Sequence, residues 1–188
     1  FWSKNFIVNR ETLIPRPETE LLVDEIIKIF KSRRIRILDI GTGTGCILLS
    51  LLSDLKNSTG LGVDISQHAI KVAKKNAKKL KLTKRAKFFK KSINELNYRL
   101  FDLVVSNPPY IHKRDLVSLD PSVRHYDPED ALTDGEAGLK FYHQIFNLSS
   151  TMLNDNGRII VEFGSKKQSQ EIINIFKGFE YIIYNDLS

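Results

Sequence analysis

Three short stretches of this sequence hold residue types whose spacing suits chemistry. Asp39-Ile40-Gly41-Thr42-Gly43-Thr44-Gly45 sets a carboxylate and three alternating glycines behind an apolar run. Glycine tolerates positive φ and lets a backbone approach a ligand closely. Asp64 closes the next apolar run about twenty residues on, where a carboxylate can accept both hydroxyls of a ribose. The third stretch, Asn107-Pro108-Pro109-Tyr110, suits a planar NH2 group. Pro109 has no N–H to compete, and paired prolines turn the Pro108 carbonyl outward. The Asn107 side-chain oxygen and that carbonyl can then each accept one N–H, while Tyr110 stacks on the face of the group. An amide or amino-aromatic nitrogen is a poor nucleophile because its lone pair is delocalised. Two acceptors that polarise it toward sp³ character release that pair toward an electrophilic methyl. This is catalysis by positioning and needs no obligatory base.

The glycine loop alone is a weak signal. A nicotinamide-type fingerprint wants its third glycine one position later, where Cys46 stands, so the match is to Gly-x-Gly-x-Gly. No Gly-Lys-Ser/Thr follows, which excludes a Walker loop. A flexible turn at the loop, a solvated turn residue at Asp64 and an ordinary cis-prolyl turn at Asn107 to Tyr110 are the bland alternatives. The coincidence of strand, glycines and spaced carboxylate favours a nucleoside ligand.

Such residues need strand ends to present them. Phe1 to Arg10 alternates loosely and suits a short strand or hairpin. The prolines of Pro15-Arg16-Pro17 force an extended entry into a helix with apolar residues at Leu21, Leu22, Ile26, Ile27, Ile29 and Phe30. Strands follow at Ile35 to Ile40, Leu61 to Ile65, Ala86 to Lys90, Phe101 to Ser106, Arg158 to Phe163 and Glu180 to Tyr184. Helices fall at Cys46 to Leu55, Gln67 to Leu80, about Leu139 to Leu153, and Lys166 to Phe176, with a polar loop from His112 to Asp134. Alternation of this kind predicts one α/β domain with a parallel sheet and crossover helices. In such sheets ligands sit beyond the carboxyl ends of the strands, where the strand order reverses.

With 188 residues, 41% hydrophobic and 27% charged, the chain suits one compact domain. No apolar run approaches the roughly 20 residues that cross a bilayer. A single cysteine, Cys46, excludes an intramolecular disulfide and suits a reducing cytosol. The scattered histidines show no ligand spacing, so no metal is expected. A net charge of +7 favours encounters with nucleic acid or a ribonucleoprotein.

The glycine loop, Asp64 and Asn107 to Tyr110 together resemble the class I S-adenosylmethionine-dependent methyltransferases that modify planar NH2 nitrogens. Leu13-Ile14-Pro15-Arg16-Pro17-Glu18-Thr19-Glu20, and Val123-Arg124 to Glu129-Asp130-Ala131-Leu132 with Gly135 to Tyr142, narrow the likeness. They resemble the protein-(glutamine-N5) methyltransferases that act on peptide chain release factors. The resemblance implies a Rossmann-like sheet, mostly parallel with an antiparallel edge and helices on both faces. It implies S-adenosylmethionine as cofactor, with Gly41, Thr42, Gly43, Thr44 and Gly45 around the methionine part and Asp39 behind them. Asp64 would hold the ribose, Ile65 and Ile93 would pack beside it, and Ser92 stands where relatives place an acidic residue near the adenine. Asn107, Pro108, Pro109 and Tyr110 would bind the glutamine of the release factor's Gly-Gly-Gln loop, with Asn107, Pro108 and Tyr110 catalytic and Asn107 also beside the cofactor. Residues 1–34 would be a hairpin, the Pro-Arg-Pro-Glu-Thr-Glu segment and a helix packed on a core of residues 35–188. The resemblance also implies a helical domain ahead of this region, which these residues are expected to lack, and a final strand past Asp186-Leu187-Ser188. The implied setting is the cytoplasm, near the ribosome.

Two rivals remain at this point. One is methylation of an exocyclic base amine in DNA or ribosomal RNA, since Asn-Pro-Pro-Tyr also occurs in DNA adenine-N6 enzymes. The other is a cofactor-binding domain without activity. The basic run Lys71, Lys74, Lys75, Lys78, Lys79, Lys81, Lys84, Arg85, Lys87, Lys90 and Lys91 reads as a solvated face before it reads as an RNA contact. Arg16, Glu18 and Glu20 are balanced between capping a helix and walling the substrate pocket. Glu162 is either an edge-loop carboxylate or a pocket wall, with the edge loop favoured, and Tyr126 and Tyr142 read as packing aromatics before stacking groups.

Overall fold

A computed structural model describes residues 1–96 and 100–185. Its strands are β1 (Arg36–Ile40), β2 (Thr59–Asp64), β3 (Ala86–Lys90), β4 (Phe101–Ser106) and β5 (Leu153–Val161). They form one sheet in the order β3-β2-β1-β4-β5, and every pairing is parallel. The helices are α1 (Thr19–Phe30), α2 (Cys46–Asp54), α3 (Gln67–Lys79), α4 (Pro121–Tyr126), α5 (Lys140–Met152) and α6 (Lys166–Ile175). A strand that carries helices on both sides must be apolar on both faces. Accordingly Ile37 packs with Leu22, Val23, Ile26 and Phe30 of α1 and with α2 and α3, whereas Leu38 and Ile40 pack with Ile145 and Met152 of α5.

Two expected strands are missing among the described residues. The sheet has no antiparallel edge, because Glu180 to Tyr184 forms no strand. Asp186, Leu187 and Ser188 lie outside the described residues. The opening segment is not a hairpin either. Its backbone is satisfied by a side chain: Asn76 of α3 accepts from the Ile7 N–H at 2.7 Å and donates to the Ile7 carbonyl at 3.0 Å. The same buried amide donates to the Thr44 carbonyl at 2.9 Å, which ties the opening segment to the glycine loop. The stretch expected as a loop from His112 to Asp134 holds α4 and two short 3₁₀ turns, Lys113–Ser118 and Glu129–Ala131. Asp120 caps α4 through its carboxylate with Pro121 following, a start signal present in the sequence.

Candidate active site

The register of the sheet sets the site. Ile40 pairs with Val63 on one side and with Ser106 on the other, and Ser106 pairs with Val161. Asp64, Gly41, Asn107 and Glu162 therefore leave four neighbouring strands at one level along the carboxyl edge. With strands spaced about 4.8 Å apart, Asp64 and Asn107 stand roughly 10 Å from each other. The order reverses between β1 and β4, where an open α/β sheet makes its ligand crevice. Sequence reasoning placed the glycine loop, Asp64 and Asn107 to Tyr110 at strand ends; the structure brings them into one row.

On the β1–β2 side the loop is built around two carboxylates. The Thr42 hydroxyl donates to Asp39 Oδ2 at 2.6 Å, and the Gly43 N–H donates to Asp64 Oδ2 at 2.9 Å. The Ser66 N–H donates to Asp64 Oδ1 at 2.9 Å, and the Ser66 hydroxyl then caps α3. Each Asp64 oxygen keeps a lone pair for a further donor. Burial raises the Asp64 pKa against these N–H groups. Asp39 is fully buried and its pKa is pushed up to about 7, first by desolvation and then by the charge of Asp64, with the Thr42 hydroxyl opposing. Asp39 Oδ1 is buried with no hydrogen-bond partner among the described residues. Gly41 holds φ at +69°, and a Cβ there would meet nothing within 4 Å, so the loop presents bare backbone to open space. Ile65 is 57% exposed beside Asp64, an apolar face with no cover. An orphaned acceptor, an uncrowded glycine and an uncovered isoleucine beside a carboxylate fit a nucleoside with a polar tail.

Ser92 follows β3 and begins the 3₁₀ turn Ile93–Glu95; its N–H donates to the Glu95 carboxylate at 2.7 Å in a capping box. The Lys91 N–H donates to the Asp64 carbonyl at 3.0 Å, which brings this turn against the end of β2. Ile93 is buried in the core on that side.

Across β1, the Asn-Pro-Pro-Tyr turn contains no cis peptide. The Asn107 side-chain N–H donates to the Thr19 hydroxyl at 3.1 Å. Neither Asn107 Oδ1 nor the Pro108 carbonyl accepts a hydrogen bond from any described residue. Tyr110 is held at three points. Its hydroxyl donates to Glu162 Oε1 at 3.3 Å and its carbonyl accepts from Gln168 Nε2 at 2.9 Å. Its ring packs so near Gly164 that a Cβ there would stand 2.8 Å away. Burial, then the charge of Glu162, pushes the Tyr110 phenol above its usual range.

Glu162 corrects the edge-loop reading. It is half-buried between Tyr110 and Tyr142, with Oε2 sealed from solvent and without a partner among the described residues. Burial raises its pKa while the Thr19, Tyr110 and Asn107 side chains hold it down. Tyr142 is fully buried as expected, and its hydroxyl donates to the Glu162 carbonyl at 2.7 Å. Tyr126 is exposed and does not pack. The Arg16 guanidinium pairs with Asp127, Glu20 accepts from the Trp2 N–H, and no side chain caps α1. Thr19, the first residue of α1, lies against Asn107, and Glu18 and Arg16 stand close enough to Tyr110 for their charges to act on its phenol. Arg85 leaves the basic run: its guanidinium donates to the carbonyls of Leu52, Leu55 and Ser58. The α3 lysines are exposed. Among the described residues no group of three or more His, Cys, Asp or Glu side chains is arranged to hold a metal ion.

Sequence reasoning missed Thr19, Asn76 and Gln168. A lone Asn on the face that buries Val72, Ala73 and Ala77 was the available signal for Asn76. A carboxylate closing the run Ile159-Ile160-Val161 matched the position of Asp64 and marked Glu162.

A family model described as Methyltransferase domain matches residues 31–181. Release factor glutamine methyltransferase of Rhodospirillum rubrum is 40% identical over 191 residues, which cover 100% of this chain and 58% of that protein. A bifunctional methyltransferase of Rickettsia typhi is 38% identical over 100% of this chain and 40% of its own length. The chain thus spans 40 to 58% of the length of these two curated relatives. A methyltransferase from Pyrococcus furiosus superposes with a TM-score of 0.66 at 16% identity, covering 91% of this chain and 75% of that one. The hMettl16 catalytic domain, solved in complex with MAT2A 3′UTR hairpin 1, superposes with a TM-score of 0.64 at 19% identity over 92% of this chain and 66% of that one. Both likenesses establish the fold.

Proposed function

This chain belongs to the methyltransferase-domain family, and we propose that it transfers a methyl group from S-adenosylmethionine to the side-chain amide nitrogen of the glutamine in a release factor's Gly-Gly-Gln loop. The substrate half of this reading is supported by relatives named release factor glutamine methyltransferase. One observation carries the chemistry: Asn107 Oδ1 and the Pro108 carbonyl are two neighbouring acceptors without partners among the described residues, while the Asn107 N–H is already engaged by Thr19. A slot of two acceptors selects a group that brings two N–H donors, as a primary amide does.

When bound, S-adenosylmethionine supplies a methyl carbon made electrophilic by its sulfonium. Gly41 to Gly45 would cradle its methionine part with bare backbone, and Asp39 Oδ1 is left for an N–H. Asp64 would accept the ribose hydroxyls, Ile65 would cover an apolar face, and Ser92 would stand at the adenine edge. Asn107 and Pro108 accept the two amide N–H bonds and draw the nitrogen toward sp³ character. Tyr110, with its ring fixed against Gly164, covers the face of the amide. With the donor bound, the nitrogen lone pair would take the methyl in line as the carbon–sulfur bond breaks and its electron pair returns to sulfur as a neutral thioether. The surplus proton would leave for water because an N-protonated amide is strongly acidic. These residues act by position. On this reading residues 1–34 are the substrate-facing attachment to a core of residues 35–188, and the enzyme works in the cytoplasm beside the ribosome.

The test uses a labelled methyl donor with a release factor, with a variant whose loop glutamine is alanine, and with nucleic acid. Label that enters the factor and disappears with the alanine variant is the expected result. Label in nucleic acid would overturn the substrate.

A further inference from the structure

The accepting side of the site holds one charged group that the reading above does not employ. Glu162 accepts from the Tyr110 hydroxyl, keeps Oε2 buried without a hydrogen bond among the described residues, and leaves β5 at the level where Asn107 leaves β4. Burial pushes its carboxyl up, and the nearby Thr19, Tyr110 and Asn107 side chains oppose that rise. A primary amide side chain is an acceptor at one end and a donor at the other, and the two ends have nearly the same shape. A reversed Asn107 would face the substrate N–H bonds with its own N–H bonds. Something must choose the orientation.

We propose that Glu162 is a positioning residue that sets the polarity of the slot. Its carboxylate offers acceptors only, so with the Thr19 hydroxyl it keeps the Asn107 NH2 turned inward and the Tyr110 hydroxyl donating away from the substrate. Asn107 Oδ1 is thereby turned out as an acceptor. This rests on Asn107 to Tyr110 being the methyl-accepting slot. The consequence is discrimination: a carboxamide fits, and a carboxylate of the same shape meets two acceptors with no donor. A site built for hydrogen-bond donors rejects an isostere lacking them strongly, because its polar groups are left unpaired.

Glu162→Gln keeps the shape and removes the acceptor-only character. On the free chain, the ¹⁵N–¹H resonances of the Asn107 side-chain NH2, assigned by their loss in Asn107→Ala, should move and exchange faster with solvent in E162Q, with the Gly43 amide unchanged. Unmoved Asn107 resonances overturn the proposal, whatever the substrate proves to be. With release factor, E162Q should lower kcat by about 10- to 100-fold at unchanged donor affinity. It should also narrow the affinity ratio between factors carrying glutamine and glutamate in the loop; a ratio equal to wild type overturns the proposal. Wild-type chain that methylates no release factor refutes the substrate reading, and the free-chain resonances still decide Glu162. If E162Q does not fold, Glu162→Asp draws the carboxylate back by one methylene and must move the same resonances, and their staying in place counts against the proposal.

Discussion

The Gly43 N–H donates to Asp64 Oδ2 at 2.9 Å, so the glycine loop after β1 and the carboxylate after β2 form one unit. Replacing Asp64 by Ala would remove the proposed acceptor for the ribose and would unfasten the loop together. Hydrogen bonds to charged groups are worth about 1.5–3 kcal/mol each, so donor affinity should fall by roughly 10- to 100-fold or more. Calorimetric titration with S-adenosylmethionine checks this; an unaltered Kd would remove Asp64 from the site.

Asn107→Ala is expected to separate binding from turnover. Methyl transfer to release factor should drop by about 10²–10³, as for loss of one preorganised polar contact to a reacting group. Donor affinity should change little, since the Gly41 to Gly45 loop and Asp64 are untouched. Single-turnover transfer beside equilibrium binding separates the two quantities.

Asp39 gives a pH signature. Its pKa rises from 3.8 in the unfolded chain to about 7 in the fold, so the folded state binds the extra proton between those values. Stability contributed by the protonated form is full below about pH 4 and is lost as pH rises to 7, on the order of 4 kcal/mol. Denaturant midpoints of the free protein should carry this falling component, and Asp39→Asn should remove it. A profile identical in the variant would refute the assignment.

The pair between Arg16 and Asp127 joins the proline-rich segment to the stretch after α4. The Asp127 side chain is 1% exposed and that of Arg16 is 34% exposed, so Arg16→Ala leaves a buried carboxylate with only the Ile14 N–H among the described residues. Breaking a buried pair costs several kcal/mol, reduced here by the partial exposure to about 2 kcal/mol. Thermal unfolding should shift down by about 4 to 8 °C for a chain of this size.

Gly138 holds φ at +76°, and a Cβ there would run into the Tyr110 carbonyl. Gly138→Ala should therefore displace the Asn-Pro-Pro-Tyr turn and lower methyl transfer by about tenfold or more while donor affinity holds. Equal losses in both would place the damage elsewhere.

Elements whose own periodicity buries them were legible in the sequence. The helices α1, α3 and α6 and strands β1, β3 and β4 fall within a residue or two of their expected places, because apolar period and capping residues act locally. The glycine loop and Asp64 were legible for the same reason, as strand ends followed by helix starts. What could not be read was satisfaction at a distance. Ile7 takes its hydrogen bonds from Asn76, 69 residues away, so the opening segment needs no strand partner. Thr19 reaches Asn107 across 88 positions, and no local pattern announces that meeting. For Glu162 the edge loop was favoured over a pocket wall because the choice depends on β5 lying beside β4, a fact of strand order.

The order β3-β2-β1-β4-β5 also has an evolutionary consequence. On the proposed reading, the groups assigned to the methyl source follow β1, β2 and β3, and those assigned to its recipient follow β4 and β5 with Thr19 of α1 beside them. Substitutions in the second set would then be expected to alter the acceptor while the first set goes on holding the same reagent.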